Sequence, residues 1–305
     1  MSKITTLPLV KNIWRYVRQQ RIIKTHHRVA SFWSPIIDLY TNGEIPHYQL
    51  KQKKQLPTNK IIWQYWGQGI EQADLPEVVQ LCFDSVDKYK GEYTVIRLTD
   101  DTIKEYLDLP DFVWEKRKNP AFKRVFFSYL LRLALLHTYG GIWLDATIFL
   151  SGPLSEFFTK QDYFMYQRDP LEKQKTYWEN SYAYYWGWKE GFKVRVLSSI
   201  IFAQQRSVVI STLLDLMMHY WKTQDEIIDY FFFQILYNEL INGVLSNKRC
   251  PIINDTLPHL IHTKLNDTAC SFITFEEAIK LGDMHKMTYF SEEAMTRFRQ
   301  LLTTL

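Results

Sequence analysis

The stretch VFFSYLLRLALLHTYGGIWLDATIFL, residues 125–150, decides the fold expected for this chain. An apolar helix with one arginine, Arg132, is followed by Gly140 and Gly141 and then by an apolar strand with one carboxylate, Asp145. A buried arginine needs an anion, and a buried aspartate needs a cation or hydrogen-bond donors. The two charges therefore indicate a site for a polyanionic ligand accompanied by a metal ion. A direct Arg132–Asp145 pair inside the core is the structural alternative.

Strand and helix patterns alternate on both sides of this stretch. The strand patterns lie at 60–66, 93–98, 142–150, 163–167 and 196–203, and the helix patterns at 75–89, 121–139, 208–222 and 226–242. This order predicts an α/β fold with a mostly parallel sheet flanked by helices. Ligands bind such sheets outside the carboxyl ends of the strands, which is where Asp145 is expected. Thr147 shares the predicted strand face and is a second candidate metal ligand.

Composition narrows the class of protein. The 305 residues are 46% hydrophobic and 23% charged, which is typical of a globular chain. Cys82, Cys250 and Cys270 lack any CxxC spacing, which argues against a disulfide framework and a zinc site. We find neither a signal-peptide pattern nor a run of about 20 apolar residues, so we expect a cytoplasmic location.

Residues 1–30 are strongly basic and contain no acid. Their charged residues are Lys3, Lys11, Arg15, Arg18, Arg21, Lys24 and Arg28. Val10, Ile13, Trp14 and Val17 fall on one helical face, which predicts a short basic amphipathic helix. Such a helix can lie peripherally on an anionic membrane, here the inner face of the cell membrane, or dock on the main domain with its basic face in solvent. No nucleic-acid motif accompanies it, so no nucleic-acid partner is expected.

Residues 40–59 are polar, contain two prolines and indicate a linker. The predicted division is therefore an N-terminal basic helical extension over 1–55 and one larger domain over 56–305. A second distinctive segment lies in the larger domain, where Trp178, Trp186 and Trp188 cluster with Tyr182, Tyr184 and Tyr185. This aromatic cluster is either a stacking platform for a sugar or a hydrophobic flap.

Several sequence blocks between residues 60 and 265 resemble the capsular polysaccharide synthesis proteins, within the family 32 type of glycosyltransferases. The blocks are IIWQYWGQG at 61–69, LPEVVQLCFDS at 75–85, YTVIRLTDD at 93–101, YLDLP at 106–110, SYLLRLALLHTYGG at 128–141 and IWLDAT at 142–147. The resemblance implies a GT-A (Rossmann-like) fold, a nucleotide-sugar donor, most often a UDP-sugar, and a divalent cation, Mn²⁺ or Mg²⁺. It also implies retention of anomeric configuration and a glycan acceptor, with lipid-linked acceptors typical of such pathways.

The resemblance also implies roles for individual residues. Those assigned to the donor are Trp63, Gln64, Tyr65, Ser128, Tyr129, Arg132, Gly140, Gly141, His262 and Lys264, and those assigned to the metal are Asp145 and Thr147. Asp145 and Arg132 are the expected catalytic pair. The sequence departs from relatives at two places: Asp145-Ala146-Thr147 stands for Asp-x-Asp, as in the capsular branch, and Tyr129 stands where relatives commonly have an aspartate.

The function that these residues favour is sugar transfer from a nucleotide-sugar to a glycan in capsular or other surface polysaccharide synthesis. The alternatives are a non-catalytic nucleotide-sugar or glycan binding protein and a phosphotransferase that uses the same Arg–Asp–metal set.

Overall fold

The computed structural model describes residues 8–71, 75–288 and 290–304. The helices are α1 (Pro8–Thr41), α2 (Glu77–Tyr89), α3 (Ile103–Tyr106), α4 (Asp111–Lys116), α5 (Arg124–Tyr139), α6 (Glu156–Thr159), α7 (Lys175–Ser181), α8 (Val208–Thr223), α9 (Phe232–Asn242), α10 (Leu260–Asn266), α11 (Phe275–Leu281) and α12 (Glu292–Leu302). The strands are β1 (Ile61–Tyr65), β2 (Thr94–Leu98), β3 (Gly141–Leu144), β4 (Ile148–Leu150), β5 (Tyr163–Phe164), β6 (Ile200–Ala203) and β7 (Met284–Lys286).

The central sheet has the strand order β2-β1-β3-β6-β5. Strand β1 pairs in parallel with β2 and with β3, whereas β6 is antiparallel to both β3 and β5. Four of the five strands therefore point the same way; α5 packs against β1 and β3, and α8 packs on α5. The predicted α/β architecture with a mostly parallel sheet is confirmed.

Helix α5 is the buried helix that the opening stretch predicts. Thirteen of its sixteen residues are buried, Arg132 among them, and the helix packs against α8. It ends at Gly140 and Gly141, whose φ angles of 71° and 100° favour glycine. A Cβ on Gly141 would lie 2.5 Å from the carbonyl oxygen of Ile61 in β1. The glycine pair thus lets the chain reverse and enter β3 in close contact with β1.

The single strand predicted over 142–150 is wrong. Strand β3 ends at Leu144, the amide of Ile148 donates to the carbonyl of Asp145 at 2.9 Å, and β4 then joins a separate two-stranded sheet with β7. Asp145 and Thr147 lie in this turn and not on one strand face. The physical reason is that aspartate is disfavoured inside a strand, and its carboxylate is held here by Arg132 and Lys286, which lie outside the central sheet.

Helix α1 is 34 residues long, so the prediction of a short helix is wrong. Its second half docks on α9: Trp33 is fully buried, and its indole donates to the carbonyl of Phe232 at 3.0 Å. Ile22 and Val29 are buried in the same core. Lys3 lies outside the described residues. This half of α1 therefore docks on the main domain, as one of the two alternatives held. The division of the chain into an extension over 1–55 and a domain over 56–305 stays a prediction.

The segment predicted as a linker is held against the domain, with Gln52 and Lys54 bonded to the end of α5 and other residues bonded to α8. The amide of Tyr48 and the imidazole of His47 contact the Asp215 carboxylate at 2.7 and 2.8 Å.

The three cysteines, Cys82, Cys250 and Cys270, are buried free thiols. In the part of the chain that the structure describes, none of the helices has the length and apolar character needed to cross a bilayer.

Candidate active site at the carboxyl edge of the sheet

Asp145 lies directly after β3, at the edge where the parallel strands β1 and β2 also end. Its amide donates to the carbonyl of Ser199, which precedes β6, at 2.9 Å. One carboxylate oxygen accepts from the Trp143 indole at 2.7 Å. The side chain keeps 24% of its surface exposed. Asp145 is therefore fixed by the sheet but remains open to a ligand on one side.

Arg132 is the first of two cations on Asp145. Its Nη2 lies 3.3 Å from Oδ1 of Asp145, so the structure forms the direct pair that the sequence left open. The guanidinium also donates to both oxygens of Ser128 at 2.9 Å and to the carbonyl of Ser198. Only 3% of its side chain is exposed. Its donors thus tie α5 to Asp145 and to the chain that enters β6.

Lys286 is the second cation, and it arrives from β7. Its Nζ donates to the other carboxylate oxygen of Asp145 at 2.9 Å, and 19% of its side chain is exposed. Burial raises the pKa of the Asp145 carboxyl, but the charges of Lys286 and Arg132 outweigh burial and hold that pKa below its usual range. The cluster of Arg132, Asp145 and Lys286 therefore carries one net positive charge, which suits an anionic ligand.

A second charged cluster stands after β1 and β2 on the same edge. Asp100 accepts from the Tyr65 hydroxyl at 2.5 Å, from Arg117 at 2.7 Å and from Arg124 at 2.9 Å. Burial opposes ionisation of Asp100, yet these three donors keep its pKa below the usual range. This cluster also holds one net positive charge. Of the three predicted donor residues Trp63, Gln64 and Tyr65, Tyr65 is the one whose side chain reaches the charged groups at the carboxyl edge of the sheet.

The other members of that block are core residues. Trp63 is fully buried, and its indole donates to the carbonyl of Gly140 at 3.0 Å. Gln64 is also fully buried and accepts from Arg97 at 3.0 Å. Gly140 precedes β3 and Gly141 begins it, so both lie at the edge opposite Asp145. In the described part of the chain, the side-chain partners of Asp145 are Trp143, Arg132 and Lys286 and none of these four residues.

Ser128 and Tyr129 lie beside Arg132 on α5. Ser128 is the partner of the Arg132 guanidinium described above, whereas Tyr129 stacks on Phe233 of α9 at 4.9 Å. The Tyr129 hydroxyl and the Ser198 hydroxyl each lie 3.2 Å from the Gln234 amide nitrogen, which donates. Burial raises the pKa of Tyr129, so its hydroxyl stays protonated. Gln234 and Ser198 are site neighbours that the sequence did not indicate.

A basic contact from the last part of the chain was expected at His262 and Lys264. His262 lies against the carbonyl of Thr288, and Lys264 donates to the carbonyl of Cys270 at 2.6 Å. The residue that the structure brings to Asp145 is Lys286 instead. No sequence pattern points to Lys286, because the segment MHK that forms β7 is only three residues long.

The donor set around Asp145 does not form a preassembled divalent-cation site. Both carboxylate oxygens already contact cationic donors, and a metal ion would have to compete with Lys286 and Arg132. Mg²⁺ and Ca²⁺ sites are built from several oxygen ligands. Across residues 8–71, 75–288 and 290–304, no group of three or more His, Cys, Asp or Glu side chains could hold a metal. Metal binding by Asp145 and Thr147 stays a prediction.

The fold and the site together define an α/β protein whose charged cluster lies at the edge where open α/β sheets bind their ligands. The chain belongs to the capsular polysaccharide synthesis protein family, whose model matches residues 13–303. Among solved structures, the PaToxG glycosyltransferase is similar at 13% identity and a TM-score of 0.36, over 77% of this chain and 81% of that chain. No curated protein sequence matches significantly.

Proposed function

We propose that this chain is a glycosyltransferase that moves a sugar from a nucleotide-sugar donor to a glycan acceptor in surface polysaccharide synthesis. One observation carries the proposal: a net positive Arg132–Asp145–Lys286 cluster lies at the carboxyl edge of the sheet, partly open to solvent. Family membership supports the pathway. A UDP-sugar donor and a retaining outcome rest on the sequence blocks that resemble family 32 enzymes.

Lys286 is the residue suited to meet the donor diphosphate. Negative charge develops on the diphosphate as the glycosidic bond breaks, and fixed cations that face this charge accelerate transfer. Lys286 is more exposed than Arg132 and carries flexible donors on a long stem. Arg132 is buried, so its part is to orient Asp145 and the Ser198 carbonyl. Asp145 in turn positions the Lys286 ammonium before the donor arrives.

Substitution of Lys286 tests this assignment. We expect Lys286→Gln to lower kcat for sugar transfer by about 10²- to 10³-fold, as the loss of one transition-state donor does elsewhere. The measurement uses a panel of nucleotide sugars with product detection by mass, together with UDP binding by calorimetry. Lys280→Gln is the matched control, because Lys280 is exposed and pairs with Glu276 on the surface of α11.

The outcomes separate the functions. Unchanged transfer and UDP binding in Lys286→Gln would remove the lysine from the mechanism. UDP binding by the unmodified protein without hydrolysis or transfer of any donor would favour the non-catalytic binding protein, and a phosphorylated product would favour a phosphotransferase. Nuclear magnetic resonance of the initial product gives the anomeric configuration, and an inverted product would exclude retention.

The divalent cation is tested with the same assay. We expect a chelator to leave a Lys286-dependent activity in place, because the lysine already neutralises Asp145. Full loss of transfer that Mn²⁺ or Mg²⁺ restores would instead support a metal held by Asp145 with the donor phosphates. That result would contradict the expectation that Lys286 alone neutralises Asp145.

We also propose that the start of α1 contacts an anionic membrane, where a lipid-linked acceptor would be presented. The side chains of Ile13, Trp14, Tyr16 and Val17 are 57%, 67%, 56% and 40% exposed, and basic residues lie among them. Deletion of residues 1–30 would remove buried Ile22 and Val29, so a point variant is the sounder test. We expect Trp14→Ser to reduce cosedimentation with phosphatidylglycerol vesicles, and Leu171→Ser, 82% exposed elsewhere, to leave it unchanged. If Trp14→Ser binds the vesicles as well as the unmodified protein does, membrane contact by α1 is refuted.

A further inference from the structure

A cavity of about 270 Å³ lies between α9, the segment that follows β5 and the segment that precedes β6, and none of the Asp145 cluster lines it. Arg168, Lys175, Arg195 and Arg249 line it, together with amides and apolar groups. No carboxylate is found among the described residues that line it. The cavity is near the small end of the range of about 300–1,000 Å³ for small-molecule sites. Its size and charge suit one anionic group with an attached ring.

Most of the positive charge in this cavity is uncompensated. Arg168 is neutralised by Asp255, which lies behind it with Oδ1 at 2.9 Å from Nε. Arg195 donates to the carbonyls of Phe192 and Lys189, and Arg249 donates to an Ile241 carbonyl. Neither arginine forms an ion pair with a carboxylate of the described residues. Burial lowers the pKa of Arg195, and repulsion by Arg168 and Arg249 lowers it further, so the cations lie close together.

The cavity also has an aromatic wall. Trp188 lines it half-buried, and its indole is fixed by a 2.8 Å hydrogen bond to the Asp169 carbonyl. The Arg168 guanidinium lies 4.7 Å from the Trp188 ring and 4.5 Å from the Trp186 ring. A rigid indole face beside cationic donors is suited to a sugar ring that carries an anionic substituent.

The position of the cavity links it to the site. Gln167 and Arg168 follow β5 at the same edge of the sheet at which Asp145 follows β3. Arg195 is three residues before Ser198, whose carbonyl accepts from Arg132. Asn238 of the cavity is one helical turn after Gln234, which contacts the Ser198 hydroxyl. A chain of a few residues therefore connects the cavity to the Arg132–Asp145–Lys286 cluster.

We infer that this cavity binds a phosphate-bearing sugar, with the phosphate on Arg195 and Arg249 and the ring against Trp188. Phosphate is the best match, since guanidinium forks bind it through paired hydrogen bonds. In the proposed glycosyltransferase the cavity is the acceptor subsite, and that role, unlike the binding itself, rests on the proposed function.

Binding of glucose 1-phosphate to the full chain tests the site, with methyl glucoside and inorganic phosphate as comparison probes. We expect calorimetric binding of glucose 1-phosphate that weakens at least tenfold in Arg249→Gln, the loss expected for one charge-assisted hydrogen bond. Lys248→Gln is the matched control, because Lys248 is an exposed neighbour outside the cavity. Thermal melts check that both variants fold.

Each outcome has a defined meaning. The inference is refuted if Arg249→Gln binds glucose 1-phosphate as tightly as the unmodified protein does. It is also refuted if the unmodified protein does not bind glucose 1-phosphate at millimolar concentration. Inorganic phosphate that binds as tightly as glucose 1-phosphate would overturn the sugar part of the inference. Lys286→Gln should leave glucose 1-phosphate binding intact, and Arg249→Gln should leave UDP binding intact. Failure of the proposed function is thus distinguishable from failure of this site.

Discussion

The Arg168–Asp255 pair gives the sharpest stability prediction, through Asp255→Asn. The two side chains are 2% and 0% exposed, and two parallel hydrogen bonds of 2.9 and 3.0 Å join them. The Tyr185 hydroxyl donates to the same carboxylate at 3.1 Å. Asparagine keeps the volume but leaves the guanidinium buried without an anion. Breaking a buried pair in this way costs about 3–5 kcal/mol.

The assay is urea unfolding at pH 7, followed by fluorescence and circular dichroism. Asp225→Asn is the matched control: Asp225 pairs with Lys116 at 2.6 Å but is 88% exposed, so its loss should cost at most about 1 kcal/mol. A double variant, Arg168→Met with Asp255→Leu, should recover part of the loss, because no buried charge then remains unpaired. If Asp255→Asn lowers the free energy of unfolding no more than Asp225→Asn does, the reasoning is refuted.

Two further predictions concern the glycine turn and a buried histidine. Gly141→Ala should lower the free energy of unfolding by about 1–3 kcal/mol, because its φ of 100° and the Ile61 carbonyl at 2.5 Å both oppose a Cβ. Gly282→Ala, with nothing within 4 Å, should change it far less, and equal effects in urea unfolding would contradict this account. Burial lowers the pKa of His285 to about 3. The neutral, buried imidazole therefore adds its full stability to the fold above pH 6.5, and this stability is lost as the pH falls toward 3. At pH 4.5 the lost unfolding free energy is about 2–3 kcal/mol. Between pH 7.5 and 4.5, the free energy of unfolding should therefore fall less in His285→Asn than in the unmodified protein. Equal falls in the two proteins would refute the role given to His285.

Local pattern was enough to predict the central elements of the fold. The apolar run with one arginine predicted α5, and the strand patterns at 60–66 and 93–98 correspond to β1 and β2. The pairing of Arg132 with Asp145 was one of two alternatives, because both charges lie within a single helix–turn–strand unit. Such features depend on residues near each other in the chain.

The rest of the site depends on distant contacts that periodicity does not encode. Lys286 is 141 residues from Asp145 and reaches it only because β7 pairs with β4. The break after β3 is likewise set by partners outside the strand. The docking of α1 depends on the surface that α9 offers to Trp33. None of these partners could be matched from one sequence, although each residue was visible in it.

The pairing of β4 with β7 has a consequence for synthesis of the protein. A nascent chain of 280 residues contains Arg132 and Asp145 but not the lysine that completes their cluster. The ribosome must therefore translate the β7 segment, and its exit tunnel must release it, before the complete Arg132–Asp145–Lys286 cluster can exist. Until then the growing polypeptide holds an incomplete cluster, so the site around Asp145 can form only after the β7 segment has left the ribosome.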